Sequence, residues 1–246
     1  MIRGVTFDWW NTVAATTPDQ DRRLRTIRIE RLRQALERHG GAGPLGTEAL
    51  FAAYDRQTQI LEEGWARNVD MRPEDQVRAF LGFAKLDGTD ASLSAAVADA
   101  FGGALLELPP TLFPHIAETL DWLKRERYAI GMVSNTGRTW GCYLRPVQDS
   151  LGIGRYFDVR VFSDEVGIRK PGRRIFETAL EALHLPPEEV FHVGDDVTAD
   201  VAGAKALGIR AVWFDTGKWP GAETDEADAE IHDHAELPAV LRRWRR

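Results

Sequence analysis

Asp8, Ser134, Lys170, Asp195, Asp196 and Asp200 are the residues whose types and spacing could together carry out a reaction. They fall in four segments, FDWWNT (Phe7 to Thr12), VSN (Val133 to Asn135), RKPG (Arg169 to Gly172) and HVGDDVTAD (His192 to Asp200). Each segment ends or closely follows an apolar run that reads as a buried strand: Val5 to Phe7, Ala129 to Val133, Val159 to Phe162 and Val190 to Val193. Loops leaving the carboxyl ends of strands in an open parallel sheet converge on one crevice, so the four segments are expected to share a site. A carboxylate is a poor nucleophile in water, yet beside a bound cation it can attack phosphorus, and Asp8 is the candidate. Ser134 and Asn135 offer a hydroxyl and backbone N–H groups to a phosphate oxygen, and Thr136 can add a polar contact. Three carboxylates crowded at Asp195, Asp196 and Asp200 repel one another unless a cation is present, and hard oxygen ligands suit Mg²⁺. Taken singly, each feature has a plainer explanation: a strand-end Asp in a turn, Ser-Asn turn chemistry, a solvated Lys, an acid favoured at a helix start. Their common order and placement favour chemistry.

The elements that must position these residues follow from periodicity. After Thr12 the strand signal stops, and about a hundred residues of helical pattern follow. Arg22 to Arg38 places Leu24, Ile27, Leu32, Ala35 and Leu36 near one face, with Gly40 and Gly41 as a stop. Further helices are expected from Thr47, over Pro73 to Leu86 and over Ser92 to Leu106. Pro109-Pro110 ends the block. Beyond it, helices at His115 to Arg125, Gly137 to Ser150, Arg173 to Leu183 and Ala199 to Leu207 alternate with the strands, a fifth strand covers Ala211 to Phe214, and Asp228 to His232 and Leu237 to Arg242 supply an edge strand and a final helix. The predicted fold class is α/β: a doubly wound parallel-sheet (Rossmann-like) core domain over residues 1–14 and 109–246, with an inserted all-helical cap domain over residues 15–108.

Bulk properties narrow the function. A length of 246 residues suits one α/β domain carrying a smaller insertion. With 31 Lys plus Arg against 38 Asp plus Glu, a net charge of −7, no basic surface is offered to nucleic acid. No run of 18 apolar residues could span a membrane, and a strand beginning at Ile2 leaves no room for a signal peptide. The single Cys142 permits no internal disulfide. The expectation is a cytoplasmic enzyme, monomer or homodimer, acting on a small molecule. The Arg-rich stretch from Arg22 to Arg38 reads as a solvated helix face with Glu30 and Glu37 as partners; a turn towards the crevice would let it hold an anionic part of a substrate. Trp9 is expected to pack against the sheet, and Tyr54, Trp65, Trp140 and Tyr143 to be core or rim residues.

The four motifs together resemble the haloacid dehalogenase-like hydrolase superfamily, over residues 2 to about 215, with HVGDDVTAD the most specific part. The resemblance implies a Mg²⁺-dependent phosphatase acting through an aspartyl phosphate. In it Asp8, Thr12, Ser134 and Lys170 are catalytic, and Ser134, Asn135 and Lys170 hold the substrate phosphate. Asp8, the Trp10 carbonyl and Asp195 bind the cation, and Asp196 and Asp200 are further ligands, supports or partners of Lys170. One position departs from the family's phosphatase pattern, Asp-x-Asp-x-Thr: this chain has Asp8-Trp9-Trp10-Asn11-Thr12. The second Asp protonates the leaving group in those enzymes, and an indole cannot. His39, Asp19 and Asp21 are candidates for a replacement acid. Two other readings accompany the phosphatase: a 2-haloacid dehalogenase, whose halide leaves without a proton, and a weakly active or inactive domain that binds a ligand or protein.

Overall fold

The computed structural model describes residues 1–39, 46–86 and 88–244, so the expected stop at Gly40 and Gly41 lies outside the described residues. The strands are β1 Gly4–Phe7, β2 Ala14–Ala15, β3 Thr111–Leu112, β4 Ala129–Ser134, β5 Val159–Phe162, β6 Val190–Gly194, β7 Arg210–Phe214 and β8 Ala229–Ile231. Six of them form one sheet in the order β5-β4-β1-β6-β7-β8, and every pair is parallel. Phe7 stands opposite Met132 on one side and Val193 on the other. The carboxyl ends of β1, β4 and β6 are therefore level, which delivers Asp8, Ser134 and Asp195 to one edge of the sheet.

Alternation along the strands divides the core in two. On one face Phe7, Met132, Phe191, Val193, Val212 and Phe214 join a cluster with Ile116, Leu120, Leu144 and Leu241. On the other, Val133, Val161, Val190, Ala211 and Trp213 pack with Ile175, Phe176, Val201 and Ala204. Both faces of the sheet are thus covered, as a parallel sheet requires. Trp9 is fully buried in the first cluster, as its position in the strand pattern predicts.

The helices between β2 and β3 are α1 Pro18–Arg38, α2 Thr47–Trp65, α3 Pro73–Phe83, α4 Ala91–Gly102 and α5 Ala104–Glu107. α1 to α4 form a block around Leu32, Leu36, Leu50, Phe80, Val97 and Phe101, and Trp140, from beyond the block, completes that cluster. β2 and β3 pair antiparallel, Ala14 opposite Leu112, so the two crossings between block and sheet are tied together. The remaining helices are α6 Ile116–Arg125, α7 Gly141–Ser150, α8 Ser163–Val166, α9 Arg173–Leu183, α10 Gly203–Lys205 and α11 Leu237–Arg243.

Several helix boundaries differ from the periodicity; α3, expected to run to Leu86, ends at Phe83, with Lys85 left-handed at φ 56° and the Leu86 N–H turned back to the Leu81 carbonyl. α1 starts at Pro18 rather than Arg22, because Thr17 and Gln20 form a reciprocal capping box. The helix expected over Ser92 to Leu106 breaks at Gly103, where a Cβ would lie 2.6 Å from the Arg31 guanidinium. That close approach lets Arg31 Nη2 reach Asp99 at 2.6 Å. α7 begins at Gly141 and not Gly137, since Arg138 to Trp140 insert into the helical block and Asp164 caps the Gly141 N–H. The run expected as a helix over Ala199 to Leu207 is a π-helical turn over Val197–Ala202 followed by the short α10.

Candidate active site

The buried Lys170 Nζ lies 2.6 Å from Asp8 Oδ1 and 2.6 Å from Asp200 Oδ1. Its backbone is held on both sides by Asn135, whose Oδ1 accepts the Lys170 N–H at 2.8 Å and whose Nδ2 donates to the Lys170 carbonyl at 3.2 Å. The motif after β4 therefore positions the lysine of the motif after β5. Asp200 is in turn fixed by His192 Nε2 at 3.0 Å and by the Asp196 N–H at 3.1 Å. His192 Nδ1 meets the Thr6 hydroxyl at 2.9 Å. A neutral imidazole donating through Nε2 and accepting at Nδ1 fits both contacts.

Asp195 sits beyond Gly194, where a Cβ would lie 2.2 Å from Asp200 Cγ; only glycine allows Asp200 to reach Lys170 along this path. Asp195 Oδ2 accepts from Trp219 Nε1 at 2.8 Å, and the Thr12 hydroxyl stands 3.4 Å from Asp195 Oδ1. The Ser134 hydroxyl donates to the Asn135 carbonyl at 3.2 Å. Asp196 lines the same cavity as Asp8 and Asp195, and its Oδ1 accepts from the Thr198 and Ala199 N–H groups, capping the π-helical turn. The described structure does not bring His39, Asp19 or Asp21 to the cavity. His39 Nδ1 contacts the Ala35 carbonyl, Asp19 pairs with Arg22, and Asp21 accepts from Thr16. The arginines of α1 are likewise engaged elsewhere, Arg25 with Asp55, Arg28 with Thr139, Arg31 with Glu107, and Arg33 with Glu30.

Asp8, Trp10, Asn135, Lys170, Asp195 and Asp200 line one cavity of about 170 Å³. A larger cleft of about 490 Å³ lies between α3, α4 and Tyr143, but it holds none of these residues; chemistry and not volume locates the site.

Four carboxylates, Asp8, Asp195, Asp196 and Asp200, line this small space with Lys170 and Arg169. Burial pushes the Asp8 carboxyl up to about 8, against the pull of Lys170 and with added repulsion from Asp200 and Asp195. Burial and Asp200 raise Asp195 to about 7, opposed by Trp219 and Lys170. Burial also disfavours the charged form of Asp200, but Lys170 and His192 outweigh it and hold Asp200 well below the usual carboxylate range. Burial works against the Lys170 ammonium too, and Asp200 and Asp8 overcome it, raising its pKa. The lysine thus compensates Asp200, and Asp8 and Asp195 form a surplus of carboxylate without a countercharge, whose protonated forms are favoured until a cation takes the place of the protons.

That surplus fits a divalent cation. One oxygen from each of Asp8, Asp195 and Asp200 can be chosen so that all three lie within 4.8 Å of one another. Asp200 has both oxygens occupied by protein donors, whereas Asp8 Oδ2 and the Trp10 carbonyl have none among the described residues. The all-oxygen set of Asp8, Asp195 and the Trp10 carbonyl suits a hard ion such as Mg²⁺.

Four residues around the site carried no distinct signal in the sequence. His192 and Arg169 lie inside the motifs, but nothing in their type or spacing assigns them a role, Trp219 sits in an irregular segment, and Asp70 belongs to the helical block. The buried Asp70 carboxylate reaches Arg169 Nη1 at 2.8 Å.

The sequence profile of haloacid dehalogenase-like hydrolases matches residues 2–208. Over 195 residues the chain is 41% identical to a phosphoserine phosphatase of Thermus thermophilus, covering 79% of this chain and 74% of that one. It is 37% identical over 132 residues to a glyceraldehyde 3-phosphate phosphatase of Pyrococcus furiosus, covering 52% of each, so it spans about half the length of that relative. Among solved structures, a 2-haloacid dehalogenase from Pseudomonas syringae pv. Tomato DC3000 superposes with a TM-score of 0.70 at 26% identity, covering 99% of this chain and 100% of the other. A HAD phosphatase from Thermococcus onnurineus superposes at 0.61 and 25% identity, covering 98% of both. Profile, sequence and fold agree: the chain belongs to the haloacid dehalogenase-like hydrolases.

Proposed function

We propose that the protein is a Mg²⁺-dependent phosphatase acting on a small phosphorylated molecule, with the helical block as its cap. The observation that carries this reading is the surplus of carboxylate at Asp8 and Asp195 around one lysine, which a halide-releasing site has no need of. The relatives named phosphatases support it. The Asp8 carboxylate attacks phosphorus. The new O–P bond forms as the ester P–O bond breaks, and the leaving group takes its proton from solvent or substrate. Lys170 holds the transferring oxygens and is itself kept charged and aimed by Asp200. Asn135, Thr12 and Ser134, whose hydroxyl can turn from the Asn135 carbonyl, complete the phosphate side. Water then attacks phosphorus, the Asp8 O–P bond breaks, and phosphate departs. Asp8, the Trp10 carbonyl and Asp195 would hold Mg²⁺, which supplies charge neutralisation for the phosphoryl group and the nucleophile.

Trp10 and the fold similarity to a haloacid dehalogenase favour a second reading, carbon–halogen hydrolysis with the same Asp8 nucleophile. One assay separates the two. Phosphate release from an aryl phosphate is expected with Mg²⁺, to vanish with chelator and to fall at least 10³-fold in Asp8→Asn, since the nucleophile is lost. Metal-independent halide release from a 2-haloacid without phosphate release would replace the phosphatase.

A further inference from the structure

Asp70 is a cap-side carboxylate, fully buried, that the reaction described above does not use. Its Oδ2 collects donors from three places in the α/β layer. Thr136 Oγ1 lies at 3.2 Å, Arg169 Nη1 at 2.8 Å, and the Ser163 hydroxyl makes a short hydrogen bond. Its Oδ1 is held from its own side by Trp65 Nε1 at 3.2 Å and the Met71 N–H at 3.0 Å. Around it the two backbones pair: the Asp70 N–H donates to the Gly167 carbonyl at 3.1 Å, and the Arg169 N–H donates to the Asn68 carbonyl at 2.9 Å.

Two of the groups that Asp70 gathers are the immediate neighbours of site residues. Thr136 follows Asn135, and Arg169 precedes Lys170. Asn135 and Lys170 hold each other through two hydrogen bonds, and Arg169 Nη1 also donates to the Thr136 carbonyl at 2.5 Å, so the two loops form one clamped unit. At the far end of that unit stands Lys170 Nζ, 2.6 Å from the nucleophile. A displacement of a few tenths of an ångström there alters a contact that transfers charge in the transition state.

We propose that Asp70 is a positioning residue for Lys170: seated between Arg169 and Thr136, it fixes the two loops that aim the lysine at Asp8. Docking of the cap and alignment of the lysine are therefore linked, because one of the groups that anchor the cap also sets the loops. The proposal rests on the reading of Asp8 and Lys170 as the reacting pair.

The test uses the full-length protein with two readouts. Steady-state hydrolysis of p-nitrophenyl phosphate with Mg²⁺ reports catalysis. The ¹³Cε resonance of Lys170, in protein labelled at lysine and assigned with Lys170→Met, reports the lysine directly and needs no activity. In Asp70→Asn we expect kcat to fall at least tenfold with KM within threefold of wild type, and the Lys170 resonance to shift while that of the distant Lys85 stays. Leu241→Ala, a packing loss at α11 on the opposite cluster, is expected to lower Tm while leaving both kcat and the Lys170 signal unchanged. Asp70→Asn strands the Arg169 charge, and if it fails to fold, Asp70→Asn/Arg169→Met removes both charges and is read in the same way. A folded Asp70 variant with wild-type kcat and an unmoved Lys170 resonance overturns the proposal. Inactive wild-type protein would instead sink the phosphatase reading, and the resonance alone would then decide the role of Asp70.

Discussion

At the scale of single residues, Trp10 sets the chemistry this site can perform. The cavity is rich in acids, yet each is committed. Asp8 pairs with Lys170, Asp195 is held by Trp219, Asp200 is locked to Lys170 and His192, and Asp196 caps a helical turn. Among the described residues that line the cavity, no uncommitted acid remains to protonate a departing alkoxide. Loss of a general acid costs about 10² to 10⁴ in rate, or roughly 3 to 5 kcal/mol of barrier, for a leaving group that needs the proton. A phenolate, whose conjugate acid has a pKa near ~10, needs it far less than an alkoxide. The rate should therefore depend steeply on leaving-group pKa across a series of aryl and alkyl phosphates. Trp10→Asp should flatten that dependence and raise kcat/KM for alkyl phosphates at least tenfold. An equal slope for both proteins would mean that another group, or the substrate itself, delivers the proton.

At the scale of elements, the π-helical turn after β6 shows how local structure selects among neighbouring acids. Asp196 and Asp200 are four apart, and either could have been the ligand or the support. The wide turn ties Asp196 Oδ1 to two backbone N–H groups and sets Asp200 against Lys170. Asp196→Ala should cost about 1 kcal/mol of stability through loss of the cap, while Asp196→Asn, which keeps the acceptor, should hold both stability and Mg²⁺ affinity. Chemical denaturation with Mg²⁺ titration checks this; a large loss of Mg²⁺ affinity in the Asn variant would make Asp196 a ligand instead. The same turn marks where the sequence stopped being legible. Strands and their motifs could be read because buried parallel strands are short apolar runs and their carboxyl ends face one crevice. The turn's geometry was hidden because its side-chain pattern is helical and only the hydrogen-bond step widens. Asp70 was hidden for another reason: its partners Thr136, Ser163 and Arg169 lie 66 to 99 residues away, a separation that leaves no periodic trace. The stretch Gly137 to Trp140 read as helix, and its place was taken by contacts to the helical block that only the assembled fold supplies.

At the scale of the whole molecule, His234 ties the carboxyl-terminal segment to the first motif and makes stability depend on pH. It is fully buried, its Nε2 donates to the Thr12 carbonyl at 2.8 Å, its ring lies tilted against Phe214 with centroids 4.4 Å apart, and Nδ1 has no partner among the described residues. Burial, only partly offset by the Thr12 carbonyl and Asp233, lowers its pKa from 6.5 to about 4. A His with a depressed folded-state pKa stays neutral when folded and takes up a proton on unfolding, so its contribution is intact above pH 6.5. It is lost as pH falls from there towards about 4. Between pH 7 and 5 the loss amounts to about 2 kcal/mol. Asp8 and Asp195 titrate across the same span with the opposite sign: protonated in the folded protein and ionised in the unfolded chain, they favour folding as pH falls. The raw pH profile therefore mixes the two and can look flat. The difference between wild type and His234→Gln isolates the histidine, because the carboxyl contributions are common to both proteins. Urea unfolding of each at pH 7 and pH 5, in chelator, should give a wild-type advantage that shrinks by about 2 kcal/mol at the lower pH. Parallel profiles would show that His234 gains its proton without leaving its place, and that the Thr12 carbonyl alone can hold the charged ring.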